Sequence, residues 1–332
     1  MSNAAVAEKP TDERIAKIQQ RVVGMYHKHP WPGDRRSDEE MGWRLKCLGI
    51  TPEDYVGKTV LELGCGTGDY ALWYATHGAK HVTAVDLSDG SLARAREKAA
   101  DGNVKNITFI KHDVLTLDLP SNSFDYVYSV GVMHITGDTF GGFKNLVRMA
   151  KPGAPVIFSV PNKFTRGALR PKQWICHWLG GNDLEARARW AKRLFPISVW
   201  RLKKRFHGLN NEELVFDNFA LPHETIHTVG ELLSWFDKTG VKYMGGFPPF
   251  RVQDYFFAFS QPEYTDFRKT FVGFPGLRFT SDALTKVSKL FGAVTKPPFP
   301  RPGMIQRGIC QMAWMPFALR FYCYSIAGRK QQ

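Results

Sequence analysis

A glycine-rich loop followed by a carboxylate is the first feature that could do chemistry. Gly64, Gly66 and Gly68 occur in the run Val60-Leu-Glu-Leu-Gly-Cys-Gly-Thr-Gly-Asp69. Glycine lets the backbone approach a ligand closely, and a helix that begins there offers free N–H groups. The spacing differs from the dinucleotide fingerprint Gly-x-Gly-x-x-Gly, and the lysine of a phosphate-binding loop is absent. The loop therefore favours a ligand without phosphate, whose cationic part the Asp69 carboxylate could attract.

Two further carboxylates stand where the rest of such a ligand could bind. Asp86 closes an apolar run 18 residues past Gly68, where a carboxylate can accept hydrogen bonds from both hydroxyls of a ribose. Asp113 closes the next run, where a carboxylate can accept from the exocyclic amine of adenine while the Val114 N–H donates to a ring nitrogen. Adenine, ribose and an amino-acid tail fit together at these positions.

Strands of a parallel sheet must position these residues. Short β-branched or apolar runs alternate with helical stretches, and Ser88 and Lys151-Pro-Gly153 give a helix start and a helix end between them. This alternation predicts an α/β fold in which carboxylates at successive strand ends share one crevice. The predicted strands are Thr59–Leu63, His81–Asp86, Ile107–Lys111, Phe124–Ser129 and Ala154–Val160.

The alternation is interrupted twice after Val160. It resumes with a predicted helix over Val229–Lys238 and strands over Val241–Met244 and Phe321–Gly328. We interpret the interruptions as folded, largely helical insertions within one domain. The expected organisation is an N-terminal arm or lid (1–55), a ligand-binding core (56–162), a basic Trp-rich insertion (163–227), a core helix and strand (228–250), a second insertion (251–317) and a final core strand (318–332).

These motifs resemble the class I S-adenosylmethionine-dependent methyltransferases. The matching elements are Glu62-Leu-Gly-Cys-Gly-Thr-Gly68, Asp86-Leu-Ser, His112-Asp-Val114, Phe124-Asp-Tyr-Val127, Gly131-Val-Met-His134 and Lys151-Pro-Gly153, in that family's order. The resemblance covers about 56–162 and the final strand. It implies a Rossmann-like, seven-stranded, mostly parallel sheet with helices on both faces, and S-adenosyl-L-methionine as cofactor. The residues that it assigns to the cofactor are Glu62, Gly64, Gly66, Gly68, Asp86, Leu87, Asp113, Val114 and Val130.

Several side chains are candidates for the methyl acceptor. His134 follows the fourth strand and is the first candidate for contacting or deprotonating an acceptor; the alternative is a histidine that caps or packs a loop. In Pro222–Thr228, the spacing of His223 and His227 would suit a metal in a helix, but no third ligand is evident, so we expect no metal. Glu224 and His227 are then candidate catalytic residues, and His223 a candidate substrate contact.

The segment before the core could cover the cofactor. Tyr26, His29 and Trp31 combine aromatic, basic and rigid turn residues in Tyr26-His-Lys-His-Pro-Trp-Pro-Gly33, as a lid over the cofactor would. An N-terminal arm that only packs against the core fits the same residues.

The amino-acid composition limits the classes of protein to which this chain can belong. The 332 residues are 43% hydrophobic and 23% charged, which indicates a folded globular protein and excludes disordered, collagen-like and coiled-coil chains. Neither a secretion signal nor a membrane-spanning apolar run is evident. Five scattered cysteines without a Cys-x-x-Cys pair favour a reduced, zinc-free protein, and we expect a cytoplasmic location.

The net charge of +14 is concentrated in the second half. Residues 163–332 hold 26 Lys and Arg against 12 Asp and Glu, which predicts an anionic partner. The apolar stripe of Arg187–Phe195 is expected to pack on the core. Two alternatives are a helix at an anionic membrane surface, giving peripheral contact, and an RNA-binding surface.

The leading hypothesis is a methyltransferase for a small or lipid-like, possibly anionic, acceptor. An RNA or protein methyltransferase and a non-catalytic nucleoside-binding module are the alternatives. We expect the two insertions to form a cap over the acceptor, with Trp174, Trp178, Trp190 and Trp200 partly as its own small core.

Overall fold

The computed structural model describes residues 13–31, 33, 37–167, 169–205, 211–264, 296–314 and 323–332. Within these residues, a seven-stranded sheet with the order β3-β2-β1-β4-β5-β7-β6 forms the centre. Every neighbouring pair is parallel except those of β7, which runs antiparallel to β5 and β6. The predicted fold class is confirmed. The strands are β1 (Thr59–Leu63), β2 (His81–Asp86), β3 (Ile107–Lys111), β4 (Tyr126–Val130), β5 (Pro155–Pro161), β6 (Val241–Phe247) and β7 (Cys323–Lys330).

Helices cover both faces of the sheet. Those of the N-terminal region and the core are α1 (Glu13–Lys28), α2 (Asp38–Leu48), α3 (Asp69–Thr76), α4 (Asp89–Asp101) and α5 (Thr139–Met149). Those of the first interruption are α6 (Lys163–Gly167), α7 (Arg170–Gly180), α8 (Leu184–Leu194), α9 (Pro196–Arg205) and α10 (Asn211–Val215), which continues into a π-helical turn, Phe216–Ala220. The later ones are α11 (Val229–Thr239), α12 (Val252–Ser260) and α13 (Met304–Ala313).

Local signals explain where the core helices begin. Ser88 accepts a hydrogen bond from the Ser91 N–H at the start of α4, as an N-cap does. Thr228 and Glu231 form a reciprocal capping box at the start of α11. Both helices were predicted to begin at these positions. The two caps therefore set the residues at which α4 and α11 begin.

The two faces of the sheet have separate apolar cores. On one face Phe143 of α5 and Phe236 of α11 stack with parallel rings, their centroids 5.5 Å apart, in a cluster with Val156 and Phe158. On the other face α2 and α3 contribute Trp43 and Tyr74, among the residues of a second cluster. The sheet is thereby buried on both sides, which the apolar runs predicted.

A third apolar cluster joins the N-terminal helix to the first insertion. Val22 and Met25 of α1 are buried together with Cys176 of α7 and Ala188 and Ala191 of α8. The predicted lid and the predicted cap therefore pack on each other.

The tryptophans of this insertion differ from the prediction. Trp190 packs partly buried against the third cluster, but Trp174, Trp178 and Trp200 are 67%, 72% and 52% exposed. They do not form a cap core, because small side chains such as Cys176 and Ala191 fill the space between the helices. Leu194, expected on the buried stripe of α8, is also exposed.

Four predicted strands differ in their bounds. β5 is shifted by one residue from the predicted Ala154–Val160, and β6 continues past the predicted end at Met244 to Phe247. β4 begins at Tyr126 because Phe124 pairs instead with Ala150 as an isolated bridge. β7 ends at Lys330 and not at Gly328, and the start predicted at Phe321 lies outside the described residues. Residues 265–295 and 315–317 of the second insertion also lie outside them. In the described part of the chain, no helix combines the length and apolar character needed to cross a bilayer.

Candidate active site

A cavity of about 230 Å³ lies at the carboxyl ends of β1, β2 and β4. Parallel strands bring their carboxyl ends to one edge, which is where ligands bind in open α/β sheets. Residues of α1 line its other side. Of the predicted residues, Tyr26, Trp31, Glu62, Gly64, Gly66, Asp86, Leu87, Asp113, Val114, Val130, His134 and Glu224 line this cavity.

The glycine loop adopts backbone conformations that other residues avoid. Gly64, Gly66 and Gly68 have φ of +80°, +51° and +81°. A Cβ on Gly64 would collide with Val132, and one on Gly68 would lie 2.9 Å from the Cβ of Ala95. A Cβ on Gly66 would meet no atom within 4 Å, so this glycine leaves open space on the cavity side of the loop.

The Asp86 carboxylate holds this loop against the end of β2. Its Oδ2 accepts a hydrogen bond from the Gly66 N–H at 2.8 Å, and its Oδ1 accepts from the Ser88 N–H at 2.8 Å. Burial raises the pKa of Asp86 although these bonds act in the opposite direction. Carboxylate lone pairs remain for ribose hydroxyls, because each oxygen accepts only one of these bonds.

Asp113 has a partner that the sequence analysis missed. Its Oδ1 accepts from the Leu115 N–H at 2.9 Å, and its Oδ2 accepts from Gln19 Nε2 of α1 at 2.8 Å. The N-terminal helix thus closes the cavity over the position expected for adenine. An isolated glutamine on a helix 94 residues away in sequence gives no signal of this contact.

Two acidic residues, Glu62 and Asp69, lie in the opposite part of the cavity. Glu62 Oε2 accepts a hydrogen bond from the Tyr128 hydroxyl at 2.8 Å, and burial raises the pKa of Glu62 to about 8. Asp69 also lines the cavity, but its Oδ1 lies 2.7 Å from Lys98 Nζ. Asp69 was expected to attract a ligand ammonium, but in the structure Lys98 already neutralises it.

This set of residues fits S-adenosylmethionine. The open side of Gly66 gives space at the loop, buried Glu62 would gain a counterion from a sulfonium or ammonium group, and Asp86 and Asp113 present carboxylates at neighbouring strand ends. Gly68 lies behind the loop against Ala95 and is not among the lining residues. Its part is to allow the turn into α3.

His134 lies in the turn after β4, Met133–Ile135, and is 6% exposed. Burial, and next to it the positive charge of Arg166, hold its pKa well below the usual range. Its imidazole is therefore neutral at about pH 7. Among the described residues, Nδ1 has no hydrogen-bond partner.

A buried ion pair lies at the same end of the cavity. Arg166 Nε lies 2.8 Å from Glu224 Oε1, and Arg166 Nη1 donates to Asn218 Oδ1 at 2.7 Å. Gln173 Nε2 donates to the Asn218 carbonyl at 3.0 Å. Glu224, a predicted catalytic residue, is thus held as the counterion of Arg166. Arg166 itself was missed, because its partners are more than fifty residues away in sequence.

The predicted lid is only partly at the cavity. Tyr26 lines it and donates to Asp217 Oδ1 at 2.7 Å, and Trp31 lines it as well. His29 is not among the lining residues: its ring stacks on Phe216 with centroids 3.6 Å apart, and its Nε2 lies 3.3 Å from Glu185.

His223 and His227 also lie outside the cavity lining. Thr225 explains this placement: its N–H donates to the His134 carbonyl at 2.8 Å, while the His227 N–H donates to the Pro161 carbonyl at 2.9 Å. His227 Nε2 then lies 2.9 Å from Thr225 Oγ1, so the segment turns this ring away from the cavity. Among the described residues, no three His, Cys, Asp or Glu side chains are grouped to hold a metal ion.

Comparison with known proteins identifies the core. Residues 60–153 match a family model described as a methyltransferase domain. A demethylmenaquinone methyltransferase from Porphyromonas gingivalis is 30% identical over 157 residues, which are 45% of this chain and 61% of that protein. A ubiquinone biosynthesis O-methyltransferase from Neisseria meningitidis is 29% identical over 198 residues, which are 58% of this chain and 77% of that protein. The chain thus covers less than two thirds of the first relative.

Solved structures of methyltransferases are also similar. Phosphoethanolamine N-methyltransferase 2 of Haemonchus contortus, in complex with S-adenosyl-L-methionine, has 18% identity and a TM-score of 0.45, and the match covers 96% of this chain and 57% of that one. The family model and the curated relatives identify residues 60–153, which include the strand ends that line the cavity, as a methyltransferase domain.

Proposed function

We propose that this protein transfers a methyl group from S-adenosylmethionine to a small or lipid-like acceptor bound beside His134. The observation that carries the proposal is the continuity of the cavity: one space extends from Asp113 past Gly66 to His134 and Arg166. The cofactor supplies an activated methyl on a sulfonium, so the protein's task is to align the acceptor and to exclude water.

The walls of the cavity suit an acceptor with an apolar body. Val22, Val23 and Tyr26 of α1 line it together with Ile135 and Phe247. Cavities of this kind bind ligands through apolar walls and take their orientation from a few polar groups. Here the polar groups at the acceptor end belong to His134, Arg166, Asp217 and Glu224. The names of the curated relatives refer to quinone methylation, which supports an acceptor of similar size and polarity.

His134 is our candidate for moving a proton. When the acceptor is a hydroxyl, oxygen gains the methyl and loses a proton, which a neutral imidazole can accept. The lowered pKa has a second consequence, because a neutral ring does not repel a bound sulfonium. Methyl transfer removes the positive charge of the sulfonium. The imidazolium that His134 becomes therefore leaves the net charge of the site unchanged. Glu224 is then a positioning residue that holds Arg166 beside the ring.

Calorimetry with purified protein tests the cofactor part of the proposal. S-adenosylmethionine and S-adenosylhomocysteine should both bind, and Asp86→Ala should weaken binding at least roughly tenfold through the loss of two loop bonds and the ribose acceptor. Asp89→Ala is the matched control, since Asp89 is exposed and pairs with Lys111. An absence of binding, or equal affinities of the two variants, would refute the assignment.

Label transfer tests the acceptor part. The protein is incubated with methyl-labelled S-adenosylmethionine and a cell extract, which is then separated into lipid, small-molecule, RNA and protein fractions. Label in the lipid or small-molecule fraction is the expected outcome. Label in RNA or protein instead would favour the alternative that the excess of Lys and Arg in 163–332 suggests. Binding without any transfer would favour a nucleoside-binding module.

A further inference from the structure

The side-chain amide of Gln19 lies against the carboxylate at the position expected for adenine. Gln19 belongs to α1 and lines the cavity, and its Nε2 donates to Asp113 Oδ2 at 2.8 Å. Asp113 follows β3 and lines the cavity from the side of the sheet. Two segments that are 94 residues apart in sequence therefore meet at one end of the cavity.

The carboxylate determines how this amide is oriented. An ionised carboxylate has no hydrogen to donate, so the amide must turn its NH2 group toward Asp113. The amide oxygen of Gln19, Oε1, then remains as an acceptor, and none of the described residues donates to it.

Asp113 keeps acceptor capacity of its own. Its Oδ1 accepts from the Leu115 N–H at 2.9 Å and its Oδ2 accepts from Gln19, but each carboxylate oxygen has two lone pairs. This end of the cavity therefore carries two adjacent acceptor groups, one from the sheet and one from the N-terminal helix.

Close contacts hold α1 in its position over the cavity. A Cβ on Gly90, in the first turn of α4, would lie 3.1 Å from the His27 carbonyl oxygen, and one on Gly137 would lie 3.5 Å from the Ile15 side chain. The absence of side chains at these two glycines lets α1 approach α4 on one flank and the segment after β4 on the other. Met25 of α1 is buried in the third apolar cluster. Gln19 thus extends from a packed helix, which holds a side chain in place better than a loop does.

Two adjacent acceptors suit a ligand group that donates two hydrogens. The exocyclic amine of adenine is such a group: Asp113 can accept one of its hydrogens and Gln19 Oε1 the other. A purine carbonyl, as in hypoxanthine or guanine, would bring a third acceptor between them and would leave both without a donor.

We propose that Gln19 is a cofactor-binding residue which, together with Asp113, selects the 6-amino group of adenine. Its Nε2 holds the Asp113 carboxylate in place, and its Oε1 accepts a hydrogen bond from the amine. This assignment rests on the cofactor site described above and is independent of the methyl acceptor. It gives α1 a role beyond covering the cavity, since a bound adenine would join this helix to the end of β3.

Calorimetry with two ligands tests the assignment. The ligands are S-adenosylhomocysteine and its desamino analogue, in which a hydrogen replaces the 6-amino group of adenine. The wild type should bind S-adenosylhomocysteine at least roughly tenfold more tightly than the analogue. Gln19→Met keeps the length of the side chain and its helix propensity but removes the amide, so it should reduce this preference at least roughly threefold.

Gln20→Met is the matched control. Gln20 is the next residue of α1, but it is exposed and is not among the residues that line the cavity. This variant should keep the preference of the wild type. Thermal unfolding without ligand establishes that each variant is folded. Gln19→Ala, which removes the amide without placing an apolar chain beside Asp113, should reduce the preference as Gln19→Met does.

The ratio of the two affinities distinguishes recognition of the amine from a purely structural role. An unchanged ratio in the Gln19 variants, whether both affinities fall together or neither falls, would overturn the assignment. A wild type that binds the two ligands equally well would overturn it too. A wild type that binds neither ligand would overturn the cofactor site itself, so failure of the site and failure of the Gln19 assignment give different results.

Discussion

Glu224 and Arg166 face each other away from water, with Oε1 2.8 Å from Nε and their side chains 3% and 2% exposed. One comes from the segment before α11 and the other from α6, so the pair ties the end of the first insertion to its beginning. Each charge is compensated by the other and by Asn218 and Gln173.

Removing one member of this pair should lower the free energy of unfolding far more than removing both. Arg166→Met leaves the Glu224 carboxylate buried without a counterion and should lower the free energy of unfolding by about 3–5 kcal/mol. Arg166→Met/Glu224→Leu should recover most of that loss. Lys17→Met, at an exposed pair with Glu13, should cost under about 1 kcal/mol. Urea denaturation measures all three, and a single variant as stable as Lys17→Met would contradict this account.

Gly66→Ala should separate ligand binding from folding. The added Cβ meets no protein atom but enters the side of the loop that faces the cavity, so cofactor affinity should fall at least roughly tenfold while stability falls by about 1 kcal/mol. Gly57→Ala is the matched control, with φ of +71° and similarly open space, outside the cavity lining. Thermal unfolding should show a similar loss of stability in both variants. Calorimetry should find weaker cofactor binding only for Gly66→Ala. An unchanged cofactor affinity of Gly66→Ala would show that the bound cofactor does not contact this residue.

Glu62 should make cofactor binding depend on pH. Its pKa of about 8 means that the free protein holds a proton there near neutrality, and a bound cation favours the ionised carboxylate. Affinity for S-adenosylmethionine should therefore rise as pH increases from about 6 to about 8, by up to tenfold per pH unit. Glu62→Gln should flatten this dependence. The ligand's own amino group titrates equally in both experiments, so the difference between the two proteins isolates Glu62; coinciding curves would rule out this role.

His134 should contribute to the loss of stability in mild acid. Its folded-state pKa lies below the ordinary value of about 6.5, so the unfolded chain binds its proton first and stability falls as pH drops below about 6.5. The slope from one such group is at most about 1.4 kcal/mol per pH unit. The free energy of unfolding of His134→Gln should fall less between pH of about 7 and 5. Denaturation curves at several pH values measure this, and equal slopes for the two proteins would contradict it.

The sequence predicted the sheet well where strand signals are local. β1, β2 and β3 begin and end at the predicted residues, because each is a short apolar run bounded by turn residues. β4 was misplaced because Phe124, which has high strand propensity, pairs with Ala150 outside the strand. The exposed Trp174 and Trp178 were also misjudged, since helical spacing does not reveal which side of α7 meets its neighbours.

Residues at strand ends could be placed from sequence, whereas contacts between distant segments could not. Asp86 and Asp113 follow predicted strands, so topology alone brings them to one cavity. Gln19 lies on α1, which packs in the third cluster, and Arg166 lies on α6, whose partners Asn218 and Glu224 come from the end of the first insertion; neither has a local motif. His227 was expected near the acceptor for its chemistry, but hydrogen bonds of its own segment direct it to Thr225.

The place of β7 in the sheet has a consequence for biosynthesis. β7 lies between β5 and β6, and in the described sheet β6 has no other strand neighbour. While the ribosome has yet to release residues 323–330, β5 and β6 each present an unpaired edge, and such edges recruit other chains. The half of the sheet with β1–β4, which carries Asp86 and Asp113, is synthesised long before. A nascent chain thus completes the half of the sheet with Asp86 and Asp113 early and remains vulnerable to aggregation until its last strand inserts.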